Sequence, residues 1–147
     1  MQKKISVGIA DMKLTRQEGV LITYALGSCI GITFYDPMIK LGALLHIMLP
    51  EKTNSQDSNI LKYADTGIQE TLRKFYTFGA KMFEMKGTGG LGNIGERNII
   101  KVKSILKAEG LRITGEDTGS NYARTMLLDV STGQVSIRTA SRQEKYI

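Results

Sequence analysis

The chain has 147 residues, of which 41% are hydrophobic and 23% charged, as is typical of a globular domain that can bury its own core. One cysteine excludes an internal disulfide, and one cysteine with one histidine cannot supply a zinc ligand cluster, so we expect no metal and no cofactor. No apolar run is long enough to span a membrane, and no signal-peptide core follows the basic N-terminus. These features predict a cytoplasmic protein with one domain over residues 1–147 and without membrane insertion.

The net charge of +6 is spread along the chain. A basic balance is compatible with binding either nucleic acid or an acidic protein surface. No basic run is interleaved with aromatic residues, so the sequence favours an acidic protein partner and we expect no nucleic acid. Charge that only maintains solubility is the commoner explanation of such a balance.

The first half of the chain predicts mainly strands. Residues 4–10 alternate between polar and apolar side chains and predict the first strand, whereas residues 11–18 are polar and predict a connection. Residues 20–25 predict the next strand. The apolar segments 29–35 and 41–48 predict two more, the first of them because it is rich in β-branched and aromatic residues.

The only cysteine, Cys29, and the only histidine, His46, lie on these last two strands. Asp and Pro are turn formers, and residues 36–39 therefore predict a four-residue hairpin turn. If Tyr35 faces Lys40, the constant index sum of an antiparallel pair places Cys29 directly opposite His46. Their Cβ atoms would then be roughly 5 Å apart.

A cysteine and a histidine in this arrangement predict a nucleophile and its base. A thiol reacts as the thiolate, and an adjacent imidazole can take its proton. Thr23 is a candidate to orient the imidazole of His46, through either its hydroxyl or its backbone carbonyl. Gly27 permits a tight turn before Cys29, and backbone N–H groups at Gly27 and Ser28 are candidates for binding the substrate as an oxyanion site. The alternative is structural: a small buried thiol and a hydrogen-bonded histidine in the core.

The second half of the chain predicts two helices. Residues 51–59 form a polar loop, which is either a lid over the site or an ordinary surface loop. Apolar residues recur at steps of three and four in segments 60–78 and 96–109, which predict the helices, with a short strand at 81–85 between them. The remaining predicted elements are a strand at 111–116, a loop at 117–121, a hairpin of strands 124–130 and 135–139, and a polar tail at 142–147. Many strands with two helices indicate an α/β or α+β fold.

A glycine-rich segment follows the short predicted strand. Gly87, Gly89 and Gly92 match the G-x-G-x-x-G spacing of a dinucleotide fingerprint. The predicted helix starts too late, near Glu96, for its N-terminus to meet a pyrophosphate, and no second nucleotide-binding half follows. We therefore expect a flexible loop, with nucleotide binding as an alternative.

Several motifs together resemble the bacterial chemoreceptor glutamine deamidases, the CheD family. The matching pieces occur in the family's order and are Thr23 with Leu26-Gly27-Ser28-Cys29, Gly42 through His46 to Pro50, Lys62-Tyr63-Ala64-Asp65, Asn93-Ile94-Gly95-Glu96-Arg97-Asn98, Glu116-Asp117-Thr118-Gly119, and Thr132-Gly133-Gln134-Val135. The resemblance implies an α/β sandwich with mixed or antiparallel sheets and two main helices packed outside. It implies that Cys29 is the nucleophile, His46 the base and Thr23 the residue that orients the imidazole.

The resemblance also implies the reaction and the partners. The reaction is hydrolysis of glutamine side-chain amides in chemoreceptors to glutamate, through a thioester, in chemotaxis signalling. The implied partners are the cytoplasmic helices of the receptors and a CheC-type phosphatase, and we expect the protein alone to be a monomer. One departure from the family pattern is a shorter segment at 79–94. If this segment closes the pocket, the chain is instead a catalytically weak binding module that regulates the phosphatase or the receptor.

Overall fold

The computed structural model describes residues 2–141 and 143–147. In this part of the chain, ten strands form two five-stranded sheets, accompanied by two α-helices and one short 3₁₀ helix. The first sheet contains, from edge to edge, β1 (Lys4–Ser6), β3 (Val20–Leu26), β8 (Arg124–Asp129), β9 (Gln134–Thr139) and β10 (Glu144–Tyr146). The second contains β2 (Asp11–Arg16), β5 (Leu41–Ile47), β4 (Ile30–Asp36), β6 (Glu84–Gly89) and β7 (Ile113–Thr118). The helices are the 3₁₀ turn Ile60–Lys62, α1 (Ala64–Thr77) and α2 (Gly92–Ala108).

The elements form three layers. Both α-helices pack on one face of the second sheet, and the first sheet covers its other face. Strands β4 and β5 are therefore buried along their whole length, which explains their nearly continuous apolar sequences. Each sheet is mixed, because β1 runs parallel to β3 and β6 runs parallel to β7 while the other pairs are antiparallel. The predicted α/β sandwich with two helices packed outside is confirmed.

The predicted register of the β4–β5 hairpin is wrong by two residues. The sequence predicted Cys29 opposite His46, but Gly31 is the residue that pairs with His46, and Ile30 pairs with Ile47. Side chains alternate along a strand, so a shift of two residues changes the partner and keeps the face. Cys29 therefore precedes the Gly31–His46 pair on the same side of the sheet.

The position of the turn explains this shift. The turn comprises residues 37–40 rather than 36–39, because Asp36 remains in β4 and pairs with Leu41. One oxygen of the Asp36 carboxylate accepts a hydrogen bond of 2.9 Å from the backbone N–H two residues later. Lys40 then enters β5 from the left-handed region, with φ 48°. Moving a four-residue turn by one position changes the index sum of every pair by two.

Two polar segments form sheet edges instead of the predicted connection and tail. Residues 11–18 contain β2, and residues 142–147 contain β10. An edge strand with one face in solvent does not need an apolar sequence, so hydrophobic periodicity does not reveal it. The tail includes Arg142, which, like Met1, lies outside the described residues.

Both predicted helices have different boundaries in the structure. The predicted helix 60–78 is interrupted at Tyr63, which has extended backbone angles between the 3₁₀ turn and α1. Helix α2 begins at Gly92, four residues before the predicted start at Glu96. Within the described residues, neither helix has the length and apolar character needed to cross a membrane.

Candidate active site

Thr23 and His46 meet between the two sheets. The neighbouring inward-facing residues, Leu21 on β3 and Leu44 on β5, belong to the apolar layer between the sheets. The Oγ1 atom of Thr23 lies 2.7 Å from Nδ1 of His46 and 2.8 Å from the carbonyl oxygen of Val7. A carbonyl can only accept, so the hydroxyl donates its one proton to Val7 and accepts the Nδ1–H of His46. This network assigns the imidazole tautomer that has its lone pair at Nε2.

The buried imidazole keeps this lone pair unused. His46 is 0% exposed, and its Nε2 has no hydrogen-bond partner among the residues that the structure describes. Burial lowers the pKa of His46 from 6.5 to about 4, because the charged ring would lose its hydration. The ring is therefore neutral at physiological pH and can accept a proton at Nε2.

Strand β3 bends immediately after Thr23. Between Thr23 and Leu26 it carries one more residue than the paired segment of β8, which is a β-bulge, and Ala25 within it has φ 58°. Beyond the bulge, residues 27–29 cross from the first sheet to β4 of the second. This crossing brings Cys29 to the layer between the sheets that also contains His46.

The thiol of Cys29 is half-buried against this apolar layer. Burial raises its pKa above the ordinary value of 9.0, although the residue's own backbone N–H favours the thiolate. The thiol is therefore protonated at neutral pH in the resting protein. The side chains of Met126 and Leu26 lie over Gly31, the partner of His46, because a Cβ at Gly31 would come within 3.0 Å of the Met126 sulfur and 3.1 Å of Leu26.

The glycine-rich segment holds the loop that carries Cys29. The N–H groups of Gly90 and Leu91 donate to the carbonyl of Gly27, each at 2.9 Å, and the Gly90 N–H also lies 3.1 Å from the carbonyl of Cys29. A Cβ added at Gly89 would lie 2.1 Å from the Cys29 oxygen. Glycine is therefore required for the two backbones to approach this closely.

Helix α2 contacts the same loop through a buried side chain. The amide of Asn98 donates to the carbonyls of Ser28 and Met48, each at 2.9 Å. All three carbonyls of residues 27–29 thus point into the protein. The N–H groups of Ser28 and Cys29 donate to no backbone carbonyl in the part of the chain that the structure describes.

Comparison with known proteins identifies the family. The family model for CheD chemotactic sensory transduction matches residues 48–139, which is more than half of the chain. A probable chemoreceptor glutamine deamidase CheD of Caldanaerobacter subterraneus is 42% identical in an alignment of 162 positions that covers all of both chains. A protein of the same name from Syntrophomonas wolfei is 40% identical, and the match covers all of both chains. Another from Pyrococcus abyssi is 43% identical, and the match covers 94% of this chain and 93% of the relative. The chain belongs to the CheD family.

In this CheD-family chain, the predicted site residues are partly brought together. Thr23 contacts His46 through its hydroxyl, which is one of the two predicted routes. Cys29 shares their layer, yet it forms no hydrogen bond with Nε2 of His46 in the structure. Gly27 and Ser28 direct their carbonyls inward. The prediction of an N–H donor at Gly27 is wrong, because the Gly27 N–H donates to the carbonyl of Ala25 at 3.0 Å, whereas the Ser28 N–H donates to no backbone carbonyl among the described residues.

The structure of the glycine-rich segment argues against the alternative that this CheD-family chain binds a nucleotide. The expected flexible glycine loop is wrong: Gly87 and Gly89 belong to β6 and pair with β4, and Gly92 is the first residue of α2, so only Gly90 and Leu91 lie between the strand and the helix. The N–H groups of Gly90 and Leu91 would have to bind the pyrophosphate, but they donate to Gly27. The segment therefore supports the Cys29 loop, and the geometry does not favour a phosphate site.

Sequence reasoning missed two supports of the CheD-family site. Asn98 was part of a quoted motif, but its position on the buried stripe of α2, beside Gly95 and Val102, was the signal that it bonds inside the protein. The second support is the backbone carbonyl of Val7, which follows β1. Its role could not be predicted from the sequence, because every residue has such a carbonyl. The predicted loop 51–59 lies near this region, because the Asn59 amide at its end donates to the carbonyl of Ala10, whose N–H donates to the carbonyl of His46.

Proposed function

We propose that this chain hydrolyses glutamine side-chain amides of chemoreceptors to glutamate and ammonia. In this proposal Cys29 is the nucleophile, His46 the base and Thr23 the residue that orients the imidazole. The hydrogen bond between Thr23 and Nδ1 of His46 carries the proposal, because it leaves the lone pair of Nε2 free on a buried ring that shares a layer with the only cysteine. The names of the full-length relatives supply the substrate class.

The reaction has two steps. In the first, Nε2 of His46 takes the proton of Cys29 while Sγ attacks the amide carbon of the glutamine. The C–N bond breaks, the proton passes to the leaving nitrogen, and ammonia and a thioester result. In the second, water loses a proton to Nε2 and attacks the thioester; the C–S bond breaks, the thiol regains its proton and glutamate is released.

The resting protonation states determine when the proton moves. Burial lowers the pKa of His46 to about 4 and raises that of Cys29 above 9.0, so both groups are neutral before the substrate binds. The proton therefore moves during the attack, and there is no stable ion pair beforehand. In this respect the pair works like a hydroxyl nucleophile with a general base.

Backbone donors are available for the tetrahedral oxyanion. The carbonyls of Gly27, Ser28 and Cys29 are bonded inside the protein, so the peptide units of this loop have a defined orientation. The N–H groups of Ser28 and Cys29 donate to no backbone carbonyl among the described residues. Donors held in place before the reaction stabilise developing charge more than mobile water does.

The proposal extends to the setting of the enzyme. We expect one catalytic domain over residues 1–147, located in the cytoplasm and monomeric when alone. Its substrate surface is the cytoplasmic helical region of chemoreceptors, and a CheC-type phosphatase is its expected regulatory partner. The net charge of +6 is compatible with binding to a receptor surface that becomes more acidic with each deamidation.

Mass spectrometry of a receptor cytoplasmic fragment tests the proposal. The fragment is incubated with wild-type protein and, in parallel, with Cys29→Ala, and each glutamine is examined for conversion to glutamate. We expect conversion with the wild type only. Equal conversion with Cys29→Ala would refute the assignment of the nucleophile, and no conversion with either would refute the activity.

A binding module is the second candidate, and one observation favours it. The Cys29 thiol has a raised pKa and no hydrogen bond to His46, so the resting site is not activated. A module of this kind would bind the receptor fragment or the phosphatase with the same affinity in wild-type and Cys29→Ala forms. It would convert no glutamine in the experiment above.

A further inference from the structure

Asn98 lies where the two proposed reacting segments approach helix α2. Its side chain is 0% exposed, and its Nδ2 donates to the carbonyls of Ser28 and Met48. Ser28 immediately precedes Cys29, and Met48 follows His46 by two residues. One amide group is therefore bonded to both segments.

The bridge lies beyond the end of the strand pairing. The β4–β5 pairing ends with Ile30 and Ile47, so the sheet itself does not connect Ser28 with Met48. At this point the side chain of Asn98 connects the two segments of the hairpin. Because Cys29 lies between the bridged residue Ser28 and the last strand pair, Ile30–Ile47, the bridge holds the end of the hairpin on which the proposed chemistry depends.

The identity of this residue is not explained by packing. Both partners are carbonyls, so the amide nitrogen must face them, and Oδ1 is left buried without a partner among the described residues. An unmet buried acceptor lowers stability, and asparagine is a poor residue for a helix interior. The other large side chains on the buried stripe of α2, Val102 and Leu106, are apolar.

We propose that Asn98 is a positioning residue that sets the separation between the Cys29 thiol and Nε2 of His46. The inference rests on the proposed deamidase function, in which this proton transfer starts the reaction. Misplacing reacting groups by about 1 Å lowers a rate on the order of a hundredfold. Asn98 is buried and does not meet the receptor, so its loss changes turnover and leaves receptor binding intact.

The test compares Asn98→Leu with a matched control, Thr71→Val. Thr71 is also a buried helical residue whose hydroxyl donates to a backbone carbonyl, that of Gly67, but it lies on α1. We expect Asn98→Leu to lower kcat for receptor deamidation by about ten- to a hundredfold, with KM within about twofold of the wild type. Thr71→Val lowers the melting temperature and leaves kcat unchanged.

A second readout does not use the receptor. Alkylation of Cys29 by iodoacetamide is measured against pH in the wild type, in Asn98→Leu and in His46→Asn. We expect Asn98→Leu to be alkylated about as slowly as His46→Asn near pH 7 and the difference from the wild type to disappear where the thiol ionises unaided. A purely structural role does not produce this pH-dependent difference.

The outcomes separate the two proposals. A folded Asn98→Leu protein with wild-type kcat and a wild-type alkylation profile overturns the positioning role, and so does a higher KM at unchanged kcat. If the leucine variant does not fold, Asn98→Ser, which keeps one hydroxyl donor, is measured in the same way: a partial loss of kcat supports the role and wild-type values overturn it. If the wild type converts no receptor glutamine, the proposed function fails, while the alkylation profile still decides the role of Asn98.

Discussion

The hydroxyl of Thr23 accepts a hydrogen bond from Nδ1 of His46 across the two sheets of the sandwich. It can do so because its own proton is donated to the carbonyl of Val7 at 2.8 Å. The interaction gives one tautomer of a fully buried imidazole, with its lone pair at Nε2. A residue without acid–base chemistry of its own thus determines which nitrogen of His46 is free to accept a proton.

The first prediction tests this contact with a matched pair of variants. Thr23→Ser keeps the hydroxyl and should retain most of the deamidation rate, whereas Thr23→Val keeps the shape and loses the hydroxyl. We expect Thr23→Val to be slower by about tenfold, which is about 1.4 kcal/mol of barrier height, the order of one hydrogen bond. Initial rates at saturating receptor fragment, with thermal melts as a check on folding, decide the question. A fully active valine variant would contradict the role of the hydroxyl.

The second prediction concerns the nucleophile. Cys29→Ala should abolish deamidation and leave the melting temperature close to that of the wild type, because the half-buried thiol is small. Cys29→Ser should also be nearly inactive, since a hydroxyl is far less ionised and less nucleophilic than a thiol. The measurement is glutamine conversion in the receptor fragment over a long incubation. Substantial turnover by the serine variant would mean that His46 activates a hydroxyl as well.

The third prediction is the pH dependence of the rate. The base must be neutral to accept the thiol proton, and burial holds the pKa of His46 at about 4 instead of 6.5. The acid limb of kcat/KM should therefore lie well below pH 6.5, close to pH 4. Rates measured from pH 4 to 8, with folding monitored by circular dichroism, test this. An acid limb near pH 6.5 would mean that the ring is exposed to water in the free enzyme.

The fourth prediction is the pH dependence of stability. Between about pH 4 and 6.5 the unfolded chain binds a proton at His46 and the folded chain does not. The free energy of unfolding should therefore decrease as the pH falls through this window, because the unfolded state takes up the proton. His46→Asn has no titrating ring and keeps an amide donor near the position of Nδ1, so it should lack this part of the decrease. Denaturant unfolding of both proteins at several pH values gives the difference.

The fifth prediction concerns the backbone contact behind Cys29. Gly89→Ala requires φ +110° and a Cβ at 2.1 Å from the Cys29 carbonyl oxygen, so the loop must move. We expect a loss of unfolding free energy of about 3 kcal/mol or more, as is typical of strained core positions. Gly92→Ala has a positive φ of 71° but no neighbour within 4 Å, and it should cost only about 1 to 2 kcal/mol. Similar losses in the two variants would show that the contact itself contributes little.

Much of the architecture follows from local sequence patterns. The apolar runs of β4 and β5 predict strands because a strand covered on both faces has no polar side. The apolar stripes of α1 and α2 predict helices because each helix buries only the side that faces the sheet. The lone Cys29 and His46 were identifiable because no other residues of their types exist in the chain. The strands at the sheet edges were missed, since β2 and β10 are polar where they face water.

The relationships within the site depended on the tertiary structure. Because the turn lies one residue later than predicted, the partner of His46 is Gly31 and not Cys29. The difference in turn energy between these two registers could not be predicted from the hairpin sequence. Whether Thr23 contacts His46 through its hydroxyl or through its carbonyl depended on Val7, which lies between β1 and β2 and accepts the hydroxyl proton.

The sequence by itself determined which residues can carry the chemistry, because the thiol, the imidazole and the hydroxyl are properties of single side chains. Its apolar periods also indicated an α/β or α+β fold, and the resemblance to the CheD family implied the sandwich. Only the tertiary structure decided which lone pair of His46 is free and which residue bridges Ser28 to Met48. Those features are contacts between groups far apart in the chain, and their distances depend on how the sheets and α2 pack together.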